Sequence, residues 1–528
     1  MPEHAAPSTA RATPRVRFNA FDMNCVGHQS PGLWRHPEDR SASYKDLGYW
    51  TGLAQTLEKG LFDGIFIADV LGTYDVYGGS NAATLKAGTQ VPVNDPLLLV
   101  SGMAAVTEHL GFGVTAGTAY EHPYSFARRL STLDHVTRGR LGWNIVTGYL
   151  PSAARNFGNA DQLEHDERYA HAEDYLQVVY KLLEGSWEDD AVVRDAASCT
   201  FTDPARVHEI DHAGPYFTVP GIHLCEPSPQ RTPVLFQAGA SRRGTRFAAE
   251  NAECVFVASP TKSHLRESVA KLRDAVEAAG RPRDSIRIYN LLTIVTGPTD
   301  EAAHARHREL QGYVDHEGAL TLISGWMGLD LSGFDLDEPI GNVQSNAIHS
   351  AIETFQKVNE DGKPWTVRDI AEFVGIGGFG PRIVGSGESV ARELIEWAEE
   401  TGVDGFNLAY AITPGTFEDV VEHVVPALQR LGAYPEGYEE GTLRHKLFGA
   451  GDRLPEGHPG RNAGEAVRAA AAAAGSRPSA DESQPSADES RTSTGESSTA
   501  SRPAAVCPPD VRPAVSRGSV AAASGARA

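Results

Sequence analysis

The sequence predicts an α/β fold, a (β/α)8 TIM barrel with insertions followed by a disordered C-terminal tail. Two observations carry that expectation. Strand-like and helix-like segments alternate eight times before Gly449. The strand segments are apolar throughout, as in parallel sheets covered on their faces. Alternation of this length gives a closed barrel or a doubly wound sheet, and the count of eight favours the barrel. The chain has 528 residues. That length reads as about three average domains, but a barrel with insertions takes up to roughly 400 residues as one unit.

The elements follow in order. Val16–Phe21 is β-rich and Leu47–Lys59 reads as helix. Gly64–Ala68 is a short buried strand, and Leu97–Thr107 a helix. Gly111–Thr115 and Leu141–Thr147 are strands that flank a helical Phe126–Thr137. Asp166–Glu184 is the clearest helix, with Tyr175, Val178, Val179 and Leu182 at helical spacing. Val234–Gln237, Cys254–Val257, Ile286–Thr296 and Gly405–Leu408 are the later strands. Helical patterns at Arg242–Asn251, His264–Ala279, Asp300–Val314, Glu388–Thr401 and Phe417–Leu431 accompany them. Thr200–Val219 reads as a small hairpin before the fifth strand. The expected barrel spans 16–448, with insertions at about 72–96 and 320–382 that lie over the active-site face.

Two ends are expected to be disordered. Residues 1–15 are Ala/Pro/Arg-rich with no apolar core of a secretory signal. Residues 449–528 hold the alanine run Ala469 to Ala474 and a tandem Pro-Ser-Ala-Asp-Glu-Ser heptad, with few large apolar residues. Such a segment buries too little surface to offset its ordering entropy.

The net charge of −22 disfavours nucleic acid and anionic membranes as partners. No apolar run approaches the length of a spanning helix. Five scattered cysteines, without a CxxC, fit a reducing cytoplasm and exclude a Cys-rich zinc site. No metal is expected.

Polar residues at strand C-termini are the first site candidates in a barrel. Asp69 follows four apolar residues and needs a partner or solvent, although a helix cap is an equal reading. Thr115 closes the third strand and Asn144 and Thr147 lie in the fourth, where small polar groups suit hydrogen bonds to a heterocyclic ligand. Interior groups bonded to nearby backbone are the alternative. His165 and Tyr169 share one helix face at i, i+4 and could meet a phosphate or an isoalloxazine edge. In Phe236-Gln-Ala-Gly239-Ala-Ser241-Arg-Arg-Gly244 a strand meets a helix through a Gly/Ser turn, where exposed N–H groups with Ser241, Arg242 and Arg243 make an anion site, the alternative being a plain turn with a serine cap. Cys25 and His28 follow the first strand and face the barrel mouth. Gly375-Ile-Gly377-Gly-Phe-Gly380 matches a dinucleotide fingerprint, but Pro381 follows it instead of a helix, so it reads as a flexible lid.

Many blocks then match one family in order. They are Asn19–His28, Gly32–Pro37, Phe62–Asp69, Tyr120–Tyr124, Thr132–His135, Gly139–Asn144, His165–Tyr169, Glu226–Pro233, Gln237–Gly239 and Asp404–Asn407. From about Phe18 to Phe448 the chain resembles the luciferase-like, reduced-flavin-dependent monooxygenases. It resembles the branch that includes the nitrilotriacetate, dibenzothiophene-sulfone, long-chain alkane and dimethyl-sulfide enzymes.

The resemblance implies FMN, used as FMNH2, at the strand C-termini. It places flavin contacts on Asp69, Thr115, His165, Tyr169 and the Ala240–Ser241 turn, the last holding the phosphate. It implies a separate NAD(P)H:FMN reductase, dioxygen as co-substrate and a flavin C4a-(hydro)peroxide. It also implies a homo-oligomer, a dimer or tetramer. The alkane enzyme's pocket pattern matches Cys25, His28, Tyr74 and Gln90, but Tyr149 and Leu322 stand where it has histidines. Tyr149 is more like the dimethyl-sulfide branch. The expected substrate is therefore a small, uncharged organosulfur compound such as dimethyl sulfide, cleaved to methanethiol and formaldehyde. The alternatives are hydroxylation of an alkane or other apolar molecule, a flavin- or F420-binding protein without oxygenase activity, and a scaffold that recruits a partner through its tail.

Overall fold

The structure is a computed structural model that describes residues 15–239, 241–337, 339 and 365–475. Eight strands form its centre. They are β1 (Phe18–Met23), β2 (Gly64–Ala68), β3 (Gly111–Gly117), β4 (Leu141–Val146), β5 (Val234–Gln237), β6 (Cys254–Val257), β7 (Arg287–Gly297) and β8 (Gly405–Ala409). Each pairs in parallel with the next, and β8 returns to β1. The sheet is thus a closed barrel, and closure leaves no unpaired edge.

Large and small residues alternate inside the bore. Phe66, Phe236 and Phe256 fill it, with the Phe236 and Phe256 rings stacked 5.4 Å apart. Gly142 makes room for them, since a Cβ there would lie 2.3 Å from the Phe236 ring. Leu443 and Leu447, from the Leu443–Phe448 helix, join the same cluster. The bore is therefore a packed core, and a ligand site has to lie above it.

Four sequence expectations are corrected. The list of strands gains one, Arg382–Ser386, which begins where the expected insertion 320–382 ends and pairs in parallel with β7. It is too short and too rich in Gly and Ser to announce itself by apolarity. The single hairpin at Thr200–Val219 is two small antiparallel ladders, Val192–Asp195 with Thr200–Thr202 and His212–Ala213 with Thr218–Val219. The turn at Gly377 is tied down, its N–H donating to the Gln29 carbonyl (3.0 Å) and to Ser30 Oγ (3.1 Å), so the expected lid is a pinned turn.

The fourth correction is the tail. Residues 449–475 are folded, with a helix at Pro459–Gly475. Gly460, Ala463, Gly464 and Val467 form its buried face at i, i+3, i+4 and i+7. Gly464 and Gly460 lie so close to Glu184 and Tyr180 that a Cβ on either would overlap them. A stripe of small residues buries a helix by close approach and not by bulk, and a search for large apolar residues misses it. The described part of the alanine run, 469–473, is mostly exposed. The expected disorder of 1–14 and 476–528 falls outside the described residues.

Candidate active site

A cavity of about 590 Å3 opens at the C-terminal end of the barrel. Strand ends supply one wall. Asp69 follows β2, Thr115 and Asn144 lie on β3 and β4, and Ala238 follows β5. Asn144 Nδ2 donates to Thr115 Oγ1 at 2.9 Å. Asn144 Oδ1 is buried and has no protein partner, as is Asn407 Oδ1 on β8. A buried acceptor left open at a cavity wall is costly unless a ligand meets it. Burial, reinforced by the charge of Asp95, pushes the Asp69 carboxyl up to about 7. Asp69 and Thr115 also border a neighbouring cavity of about 630 Å3, flanked by the stacked rings of Tyr120 and Phe157.

Loops supply the opposite wall. The Tyr74 hydroxyl donates to Gln90 Oε1 at 2.9 Å, lies 2.6 Å from the Tyr149 hydroxyl and accepts from Trp326 Nε1 at 3.3 Å. Gln90 Nε2 donates to the His28 carbonyl at 2.9 Å. The protons can be assigned from these contacts. Gln90 spends its amide on His28, so its Oε1 accepts the Tyr74 proton. Tyr149 must then donate to Tyr74. No hydroxyl proton in this corner is left for a ligand. Tyr149 is 43% exposed as a residue, yet burial of its hydroxyl pushes the phenol up to about 12. Gln90 holds φ at 52°, a left-handed conformation uncommon for a side chain of its type and typical of residues fixed at a site. His28 is buried and its imidazole is pulled down to about 3, so it is neutral. The Tyr74 corner therefore presents rings and lone pairs without a charge.

The third group lies beyond Ala238. Ser241 caps the Arg242–Asn251 helix, accepting from the Gly244 N–H at 3.0 Å. A Cβ at Gly239 or Gly244 would lie 2.8 or 2.6 Å from the Tyr169 hydroxyl, so both glycines open the turn to that phenol. Arg243 stands over the Tyr169 ring at 5.8 Å and pairs with Glu173. His165 is half-exposed, 5.2 Å from Tyr169 between ring centres, with Nδ1 on Asp166. Helix-end N–H groups, Ser241, Tyr169 and Arg243 together suit a phosphate. Ala240 lies outside the described residues.

The structure thus gathers His28, Asp69, Tyr74, Gln90, Thr115, Asn144 and Tyr149 in one cavity, with His165, Tyr169 and Ser241 beside it. Cys25 is not on the wall. It is buried, its backbone bridges to Val93, and burial raises its thiol pKa. The sequence reading missed Trp326 and Phe379, whose rings pack 5.0 Å apart over the cavity, and Asn407. Aromatic residues in a Gly-rich insertion were the available signal.

An α/β barrel whose cavity pairs an uncharged tyrosine corner with polar strand ends, beside a phosphate-type turn, suits a flavin-dependent monooxygenase, and the comparisons bear this class out. The luciferase-like monooxygenase family matches residues 27–405, and the chain belongs to that family. The dimethyl-sulfide monooxygenase of Hyphomicrobium sulfonivorans is 53% identical over 446 residues, 84% of this chain and 93% of its own. The long-chain alkane monooxygenase of Geobacillus thermodenitrificans is 49% identical over 447 residues, 84% of this chain and 97% of its own. The crystal structure of DmoA from Hyphomicrobium sulfonivorans superposes with a TM-score of 0.82 at 52% identity, covering 89% of this chain and 99% of that one. That of a riboflavin lyase with modified FMN and riboflavin gives 0.78 at 36% identity, covering 85% and 99%. Among the described residues no helix is long and apolar enough to cross a membrane.

Proposed function

We propose that the chain is the oxygenase of a two-component system that oxidises a small, uncharged organosulfur compound, dimethyl sulfide above others. The observation that carries this reading is the Tyr74–Tyr149–Gln90 corner, which offers neither a charge nor a free hydroxyl proton. That corner holds no cation for a carboxylate substrate, the cavity's lysine, Lys271, being no part of it. The likeness to the dimethyl-sulfide enzyme points the same way.

The residues fit FMN. Ser241, Tyr169, Arg243 and His165 would hold its phosphate, and Asn144, Thr115 and Asp69 its polar ring edge. When bound, reduced flavin activates dioxygen, and a separate NAD(P)H:FMN reductase supplies it in that form. The chain's own part is to orient and to exclude water. Trp326 and Phe379 cover the cavity. Tyr74 and Tyr149 hold a small sulfide against the ring-binding wall by shape. Oxidation at a methyl carbon next to sulfur gives a product that falls apart to methanethiol and formaldehyde.

The alkane reading rests on a relative nearly as similar. One assay separates the two. Purified protein, FMN, a flavin reductase and NADH are supplied with dimethyl sulfide or hexadecane, and losses are followed by gas chromatography. Oxygen-dependent loss of dimethyl sulfide is expected. Alkanol formation with dimethyl sulfide untouched would reverse the proposal.

A further inference from the structure

We infer that Gly325 is a positioning residue that sets where Tyr74 stands, and through it the size of the substrate corner. Gly325 lies near the end of the His316–Met327 helix. Its φ is not left-handed, so the backbone does not require glycine there. Glycine inside a helix is worse than alanine by about 1 kcal/mol, so another cause must hold it. The cause on view is packing. A Cβ on Gly325 would lie 2.0 Å from Tyr74 Cδ1, 2.8 Å from Cε1 and 3.1 Å from Cγ. The Cδ1 edge of the ring abuts the bare backbone of the helix.

The ring has few places to go. Leu150, Ala153 and Leu322 pack against it, and the Tyr74 carbonyl accepts from Thr84 Oγ1. Its hydroxyl is held by Gln90, Tyr149 and Trp326. Tyr74 is also a wall of the cavity. A side chain at 325 therefore drives the ring into the cavity and pulls its hydroxyl from Gln90. The missing Cβ gives the corner its width, and the occupant it selects is a dialkyl sulfide of limited bulk.

This inference rests on the corner being the substrate's site, so the test separates the two. Gly325→Ala, Tyr74→Leu and the double variant are compared on dimethyl and diethyl sulfide. Protein labelled with fluorotyrosine reports the residue-74 resonance, assigned with Tyr74→Phe. In Gly325→Ala that resonance shifts, and kcat/KM falls by about tenfold more for diethyl than for dimethyl sulfide. In the Tyr74→Leu background the added alanine costs less than about twofold, because the clashing ring is gone. An unmoved resonance, or equal losses in both backgrounds, overturns the inference. A shifted resonance with an unchanged sulfide ratio upholds the positioning and overturns the corner as the substrate's site.

Discussion

The phosphate-type turn and the tyrosine corner stand on the same barrel rim but are built differently. The turn comes mostly from one stretch of chain. β5 ends, two glycines open the path, Ser241 caps the next helix, and Tyr169 leans in from one neighbouring helix. It is partly exposed and carries Arg243 and His165. The corner takes Tyr74 and Gln90 from one loop, Tyr149 from another and Trp326 from a helix 252 residues away from Tyr74. It is internally bonded and uncharged. On the function proposed, the contrast teaches a division of labour, in which charge recognition is local and apolar selection is assembled from afar.

The sharpest way to break that contrast is to remove the hub of the corner. Tyr74→Phe leaves Gln90 Oε1 without its donor and frees the Tyr149 proton. The cost of an unsatisfied buried group predicts a fall in kcat/KM of roughly 10- to 100-fold in a sulfide oxidation assay, with FMN affinity unchanged. The opposite pattern would mean that the corner serves the flavin.

At the turn, Ser241→Ala removes the cap and, on the function proposed, a phosphate ligand. FMN affinity, read by fluorescence quenching, should fall by roughly tenfold while riboflavin affinity holds. An equal fall for both flavins would place the phosphate elsewhere.

A cut at residue 448 should lower Tm by several degrees, whereas a cut at residue 475 should not. His458 Nε2 contacts the Asn251 carbonyl at 2.9 Å and Val467 packs on Gly185, and only the shorter chain loses them. The helices so tied carry the turn, not the corner, so sulfide selectivity should survive both cuts.

The smallest effect concerns pH. The Asp69 carboxyl sits at about 7 in the fold against 3.8 for an ordinary aspartate, so it is neutral below pH 7 and charged above. A raised folded pKa means that the native state binds the extra proton, and stability falls as pH rises from about 4 to about 7. Asp69→Asn should flatten that slope in a Tm-versus-pH series and remove any step near pH 7 in flavin affinity. Ser241→Ala should keep both.

Much of the barrel could be read from the chain. All eight strands show as apolar runs, because each is buried on both faces and needs no partner to declare itself. Ser241 could be read for the same reason, since a cap is a local event. The Pro459–Gly475 helix could not, because its face is made of Gly460, Ala463, Gly464 and Val467, and small residues signal burial only when a neighbour approaches. The strand Arg382–Ser386 was hidden likewise, its pairing with β7 being decided by register and not by composition.

The sequence by itself determined the alternation and the residue types at the strand ends, and its count of eight favoured a closed sheet, which the pairing of β8 with β1 decided. Family resemblance in the chain named Tyr74, Gln90 and Tyr149 but gave them no arrangement. Only the tertiary structure decided that their hydroxyls and amide satisfy one another, that Cys25 stays off the cavity wall, and that Gly325 backs Tyr74. The physical reason is that hydrogen-bond protons and van der Waals room are shared between groups. A shared quantity is fixed only once the groups that share it are in contact.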